Sequence, residues 1–336
     1  MWKIIGQEEA VSYFTGGIKK DRLSHAYLFS GLPHTGKMTL AIELAKAVNC
    51  TAGDVPCGEC VSCRRIEDGK HTDVRIINLT TGVEPGDKPR MEIGIDVFRK
   101  DILKQVSLPP FEGKCRVYIF EEAEKLSEAA ANCFLKTLEE PLGRVLFILL
   151  AADENLLPAT VVSRCQHIKL RPLPLPEIES TLIKRYNVTP EKAKLIAHLS
   201  HGAAGWAVAA AGDEMLLEDY AEVVGKAASL IQAGYDERFS HAGALALQFG
   251  RRNGLTEEFL TTLSDYWRDL LLVKLGINEG ITNINMQLEL TKCAENLSVG
   301  EIREFISDIH AAKRQLELNA SPRLVLEVLM LNMPRL

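Results

Sequence analysis

Between residues 25 and 173 short apolar runs alternate with stretches of helical period. "HAYLFSG" (25–31), "DVRIINL" (73–79), "CRVYIF" (115–120) and "RVLFILLAA" (144–152) read as strands, the last one buried on both faces. "KMTLAIELAKAVNC" (37–50) places Leu40, Leu44, Ala47 and Val48 on one helical face. "IDVFRKDILKQVSL" (95–108) is also helical, and "SEAAANCFLKTLEE" (127–140) is a helix capped by Ser127 and stopped by Pro141. A helix over "GQEEAVSYFTGGIKKDRL" (6–23) comes before the first strand, and "VVSRCQHIKLRPL" (161–173) closes the unit. Strands alternating with helices imply a mostly parallel, doubly wound sheet. After "LRPLPLP" (170–176) the strand patterns stop. A small helical bundle follows to about residue 210, and the rest is helical, as in "LTTLSDYWRDLLLVKL" and "SPRLVLEVLML". The division expected is 1–170, 171–212 and 213–336.

Composition narrows this picture. With 336 residues and 46% hydrophobic content the chain can bury large cores. A net charge of −6 excludes a surface that attracts polyanions everywhere, so nucleic acid would be met through a local basic surface or through partners. "MWKIIGQEEA" lacks the basic-then-apolar pattern of a signal peptide, and no apolar run reaches the ~20 residues of a membrane span. A cytoplasmic protein without membrane contact is expected. Eight cysteines in such a chain point to metal or free thiols rather than disulfides.

Chemistry enters at "GLPHTGKMTL" (31–40). Gly31, Gly36 and Lys37 stand where a phosphate-binding loop requires them, between a strand and a helix. Loop amides and the helix N-terminus wrap phosphate oxygens, and the lysine reaches the outer phosphates. The next position should carry the hydroxyl that holds Mg²⁺, and it is Met38. Thr39 comes one residue later, turned by roughly 100° on a helix. Glu121 and Glu122 end an apolar strand, where an ATPase keeps acids for Mg²⁺ and for the attacking water, usually Asp then Glu. The same acids would also suit a solvated helix start. Cys50, Cys57, Cys60 and Cys63 in "CTAGDVPCGECVSC" form a four-thiol set, which closes a structural Zn²⁺ shell. A redox pair or free thiols are the alternatives. Cys115, Cys133, Cys165 and Cys293 are read as core residues and His71 as structural. Arg164, in "SRC" (163–165), could cap, pair with an acid or reach a phosphate on another molecule.

Taken together, these stretches resemble the clamp-loader family of bacterial DNA polymerase III. The matching pieces are "IIGQEEA", "LSHAYLFSG", the loop at 31–37, the Cys50/Cys57/Cys60/Cys63 module, "FEEAEKLSEAAANCFLKTLEEP", "LLPATVVSRCQHIKL" and "ELNASPRLVLEVLML". The resemblance runs from residue 4 to the end. It implies a RecA-like AAA+ domain (1–170) carrying the zinc module (50–63), a helical lid (171–212) and an all-α collar (213–336) that joins subunits into a hetero-pentamer. Such a loader opens the ring-shaped sliding clamp and closes it on primed DNA. Four departures set this chain apart from the family's motor form. Met38 replaces the hydroxyl, and Glu121 replaces Asp. Ala151 and Ala152 fall where a polar phosphate sensor is expected, and "HGAAGWA" (201–207) lacks the lid arginine. The length, without a long C-terminal extension, also fits the delta-prime type. The resemblance then implies a subunit without ATPase or polymerase activity of its own, which lends Arg164 as an arginine finger to the ATP site of a neighbouring gamma/tau-type motor. Its partners would be those motors and delta, with the clamp and primer-template DNA met through the complex. Lys37 and the loop amides can still hold ATP or ADP unconsumed. Arg99 and Lys100 are candidates for tracking template phosphates.

Three rivals make different demands. A motor subunit of the same loader would hydrolyse ATP alone, against Met38 and the absent lid arginine. A P-loop nucleotide kinase would need clustered arginines in a substrate pocket and lid. A zinc-dependent DNA-binding protein would need a basic stripe near the cysteines, which the acidic balance disfavours.

Overall fold

A computed structural model describes residues 2–53, 55–83, 90–106, 108–140, 143–249 and 254–336. Part of the polar loop at 80–90 and Pro141 lie outside them. Two compact units are present: residues 1–173 with 203–206, and residues 174–202 with 207–336.

The first unit is built on five strands, β1 (Ala26–Ser30), β2 (Val74–Ile77), β3 (Arg116–Phe120), β4 (Val145–Ala151) and β5 (Gln166–Lys169). They form one parallel sheet in the order β2-β3-β4-β1-β5. β1 and β4 are buried along their whole length, because helices cover both faces of a parallel sheet. Successive side chains go to opposite faces. Leu28, Tyr118, Phe120, Phe147 and Leu149 pack with Phe134 of α6 (Glu128–Glu139) on one face. Tyr27, Phe29, Val117, Ile119 and Ile148 pack with Phe14 of α1 (Glu8–Lys19) and Leu40 and Leu44 of α2 (Lys37–Asn49) on the other. α3 (Val61–Glu67) follows the cysteine module, and α7 (Ala159–Val162) leads into β5. Ser127 caps α6 by accepting from the Ala130 amide.

The helix expected at 95–108 is interrupted. A π-helical stretch, Phe98–Leu103, separates α4 (Ile95–Val97) from α5 (Lys104–Val106). Phe98 is fully buried and stacks on Phe120 with ring centroids 5.4 Å apart. Arg99 is exposed, and the Lys100 side chain lies outside the described residues.

The second unit is helical: α8 (Leu175–Tyr186), α9 (Pro190–Leu199), most of α10 (Ala204–Gly212), α11 (Glu214–Gln232), α12 (Tyr235–Gln248), α13 (Leu255–Lys274), α14 (Gln287–Asn296), α15 (Val299–Glu317) and α16 (Pro322–Asn332). None of the helices described is long and apolar enough to cross a membrane. Trp267 and Phe305 meet at the centre of the core, 4.4 Å between centroids. Helices leave their last carbonyls without intrahelical partners. Here buried Arg238, 1% exposed, donates to Leu230 O and Ile231 O at the end of α11, and to Met333 O and Pro334 O just past α16. Arg238→Lys offers three donors in place of a five-donor fork. It should cost about 2 kcal/mol, the penalty for stranding buried carbonyls. Chemical denaturation checks this, and an unchanged midpoint would mean that water satisfies those carbonyls instead.

Candidate functional site

The glycine loop follows β1, a central strand whose neighbours β4 and β5 lie on either side. In open α/β sheets that is where ligands bind, outside the carboxyl ends of the strands. Gly31 has a φ of 150°, and a Cβ there would stand 2.5 Å from the Leu170 carbonyl oxygen, so only glycine lets the end of β5 come so near. Gly36 has a φ of 96° and opens α2. Ser30 Oγ lies 2.7 Å from His167 Nε2, whose Nδ1 is 2.9 Å from Glu154. This polar chain ties the root of the loop to the segment after β4.

Beside the loop is a cleft of about 480 Å³, bordered by Gly36, Lys37, Met38, Thr39, Glu121 and Glu122. Ala151 and Ala152 at the end of β4 also face it. The structure therefore gathers the sequence-derived loop residues and both carboxylates in one place, Gly31 forming the loop's base. Within the cleft, Lys37 Nζ donates to the loop's own carbonyls, 2.5 Å to Gly31 O and 2.7 Å to Leu32 O. Burial lowers its pKa, with Glu124 pulling the other way. Met38 packs against the core beneath α2. Thr39 is exposed. Glu121 accepts from Asn78 Nδ2 at 3.2 Å. Glu122 sits at a φ of 56°, and burial first, then the carboxylates of Glu124 and Glu121, raise its pKa against the pull of Lys125.

Two participants were not singled out in the sequence. Glu124 also borders the cleft, its Oε1 accepting from the Ala152 amide at 3.3 Å while its Oε2 is buried without a partner. The acid-rich "FEEAEK" was the signal for it. Gly205 donates its amide to the His34 carbonyl at 2.8 Å, and a Cβ on it would come within 2.7 Å of that oxygen. The backbone at Gly205 thus closes on the glycine loop. Among the described residues bordering the cleft, the carboxylates of Glu121, Glu122 and Glu124 face a single ammonium, that of Lys37.

The four cysteines converge as a second site. Cys50 and Cys60 Sγ are 4.0 Å apart, Cys57 and Cys63 Sγ 3.9 Å, and all four lie within 4.8 Å of one another. Tetrahedral thiolates ~2.3 Å from one ion would sit about 3.8 Å apart, so the set can hold a metal. Amides of Glu59 and Cys60 donate to Cys57, and that of Cys63 to Cys60. Against burial, donors from Thr51 and Cys63 bring the Cys60 thiol down to about 5, while burial and the neighbouring sulfurs push Cys63 up to about 12. His71 is buried, its Nε2 3.1 Å from Ser62 Oγ, outside the sulfur cluster. Of the other cysteines, Cys293 is buried and Cys115, Cys133 and Cys165 are half-buried. Burial raises the Cys115 and Cys165 thiols to about 12.

Arg164 does not border the cleft. It follows α7 at the surface. Its Nε donates to Glu139 Oε1 at 3.0 Å, its Nη2 contacts the same oxygen, and its Nη1 donates to Thr160 O at 2.9 Å.

A family model described as DNA polymerase III, delta subunit, matches residues 6–174, half of the chain. The DNA polymerase III subunit delta' of Bacillus subtilis (strain 168) is 28% identical over 333 residues, covering 98% of this chain and 97% of its own. Subunit tau of the same organism is 27% identical over 346 residues, and tau of Escherichia coli (strain K12) 27% over 353. Those alignments take in 97% and 98% of this chain but only 60% and 52% of the tau proteins. A solved gamma subunit-related protein from Thermotoga maritima aligns over 95% of this chain and 97% of its own, at 17% identity and a TM-score of 0.44. With a five-stranded parallel sheet, a glycine loop after its first strand and a family match over half its length, this chain belongs to the DNA polymerase III delta-subunit family of clamp-loader proteins.

Proposed function

We propose that this chain is a delta-prime-type stator of the clamp loader. It joins gamma/tau-type motor subunits and a delta subunit in a cytoplasmic hetero-pentamer that places the sliding clamp on primed DNA. It turns over no ATP itself and lends Arg164 to the ATP site of a motor neighbour. Within the chain, residues 1–170 serve as the AAA+ body, 171–212 as the lid and 213–336 as the collar. Zn²⁺ is the ion we assign to Cys50, Cys57, Cys60 and Cys63, since four thiolates with no open position suit a structural zinc site in an insert too short to build a core.

The observation carrying the reading is a contrast inside one chain. The cleft that would hydrolyse ATP has the apolar Met38 where a hydroxyl would hold Mg²⁺, Lys37 bonded to its own loop and Gly205 against His34, while Arg164 stands outside that cleft at the surface. The test is ATP turnover by the purified chain beside Lys37→Ala. Both should stay at buffer background. Turnover abolished by Lys37→Ala would overturn the stator reading and make the chain a motor.

A further inference from the structure

Glu139 is the last residue of α6, and Glu140 follows as its C-cap. The free carbonyls at a helix C-terminus carry partial negative charge and favour cations, so an acid there works against the helix. Helix stability does not account for Glu139. Among the described residues its side chain pairs with Arg164, 25 residues on. A single carboxylate oxygen, Oε1, takes both the Nε and the Nη2 of the guanidinium. The remaining nitrogen, Nη1, donates to Thr160 O at 2.9 Å and contacts Ser163 Oγ at 3.4 Å. All three nitrogens are thus held by Arg164's own chain. Both side chains remain accessible, Arg164 34% and Glu139 53% exposed, so an approaching anion can compete.

The geometry points to Glu139 as a positioning residue that restrains Arg164 on its own chain until a neighbouring phosphate draws it away. This inference rests on the reading of Arg164 as a finger. To engage, the arginine exchanges one anion for another. An exposed carboxylate pair is weak. A bidentate contact to phosphate is charge-assisted and stronger. The exchange therefore favours the phosphate, less a small discount set by Glu139. That discount makes engagement depend on how closely the neighbouring ATP site is presented.

Glu139→Gln keeps the shape and removes the charge, and at an exposed helix end it should leave the thermal midpoint unchanged. We would assemble the loader with wild type, Glu139→Gln, Arg164→Ala and the double variant, then measure ATP turnover against ATP concentration without clamp or DNA. Under the restraint, Glu139→Gln raises turnover at subsaturating ATP about two- to fivefold, or roughly 0.4–1 kcal/mol at 1.4 kcal/mol per tenfold. In the Arg164→Ala background the gain disappears. Lower turnover in Glu139→Gln would overturn the inference, since the carboxylate would then be aligning the finger. So would wild-type turnover, or an equal gain without Arg164. Failure of the parent reading looks different: Arg164→Ala alone would match wild type, and the restraint would fall with it.

Discussion

In the assembled loader, Arg164→Ala should lower ATP turnover at the motor site it faces by on the order of 10³-fold, the contribution of arginine fingers in other phosphoryl-transfer systems. The charge on a transferring phosphoryl group spreads over its equatorial oxygens, and a guanidinium brought from a second chain neutralises it where no cis group can. Arg164→Lys should fall nearly as far, because an ammonium is a point donor and lacks the planar fork. Total turnover then drops by the share of that one site if the motors fire independently, and almost completely if they fire in sequence. Stability is the control. Arg164→Ala removes a solvent-accessible pair with Glu139 and contacts to Thr160 O and Ser163 Oγ, so unfolding should shift by less than about 1 kcal/mol. An Arg164→Ala loader that assembles, melts normally and hydrolyses ATP at the wild-type rate would exclude the finger.

The departures of the glycine loop from a working phosphate-binding pattern were legible in the sequence because they depend on residue identity at fixed spacing. Met38 beside Lys37 can be read from one line of text, and so can four thiols within fourteen residues. The sheet was legible for a similar reason: β1 and β4 are buried on both faces, and continuous apolar runs record that directly. What stayed hidden depends on distance along the chain. Glu124 meets the Ala152 amide 28 residues away, and Gly205 reaches His34 across most of the first unit's sequence. Glu139 was quoted within a motif, yet nothing local says that its oxygen is occupied by Arg164. The π-helical stretch was hidden because its inward residues, Phe98 and Ile102, are apolar at a spacing that an ordinary helix would also bury.

Removal of the Zn²⁺ proposed for the cysteine module should strongly destabilise the first unit. The cysteine module does more than close on itself. Cys50 O accepts from Lys114 Nζ, and Asn49 Oδ1 accepts from the amides of Lys114 and Cys115 at 2.8 and 2.9 Å. Arg65 pairs with Glu112, which also accepts from Thr72. These ties reach the turn before β3, which Asp73 fixes from the other side by accepting from the amides of Phe111, Glu112 and Gly113. β3 leads directly into Glu121 and Glu122. Binding by four thiolates couples to folding, since the sulfurs must be deprotonated and gathered before the ion is held. Chelation, or Cys60→Ser, should therefore cost on the order of 4 kcal/mol, in the range reserved for lost metals and disulfides. For a unit of this size that is a fall in melting temperature of about 8–16 °C. Metal analysis should find one zinc per chain, lost in Cys60→Ser and kept in His71→Asn. A chain that binds no metal, exposes four titratable thiols and still melts at the same temperature would refute the assignment. The hydrogen bonds of Asn49, Asp73 and Glu112 would then support the turn before β3 without a metal.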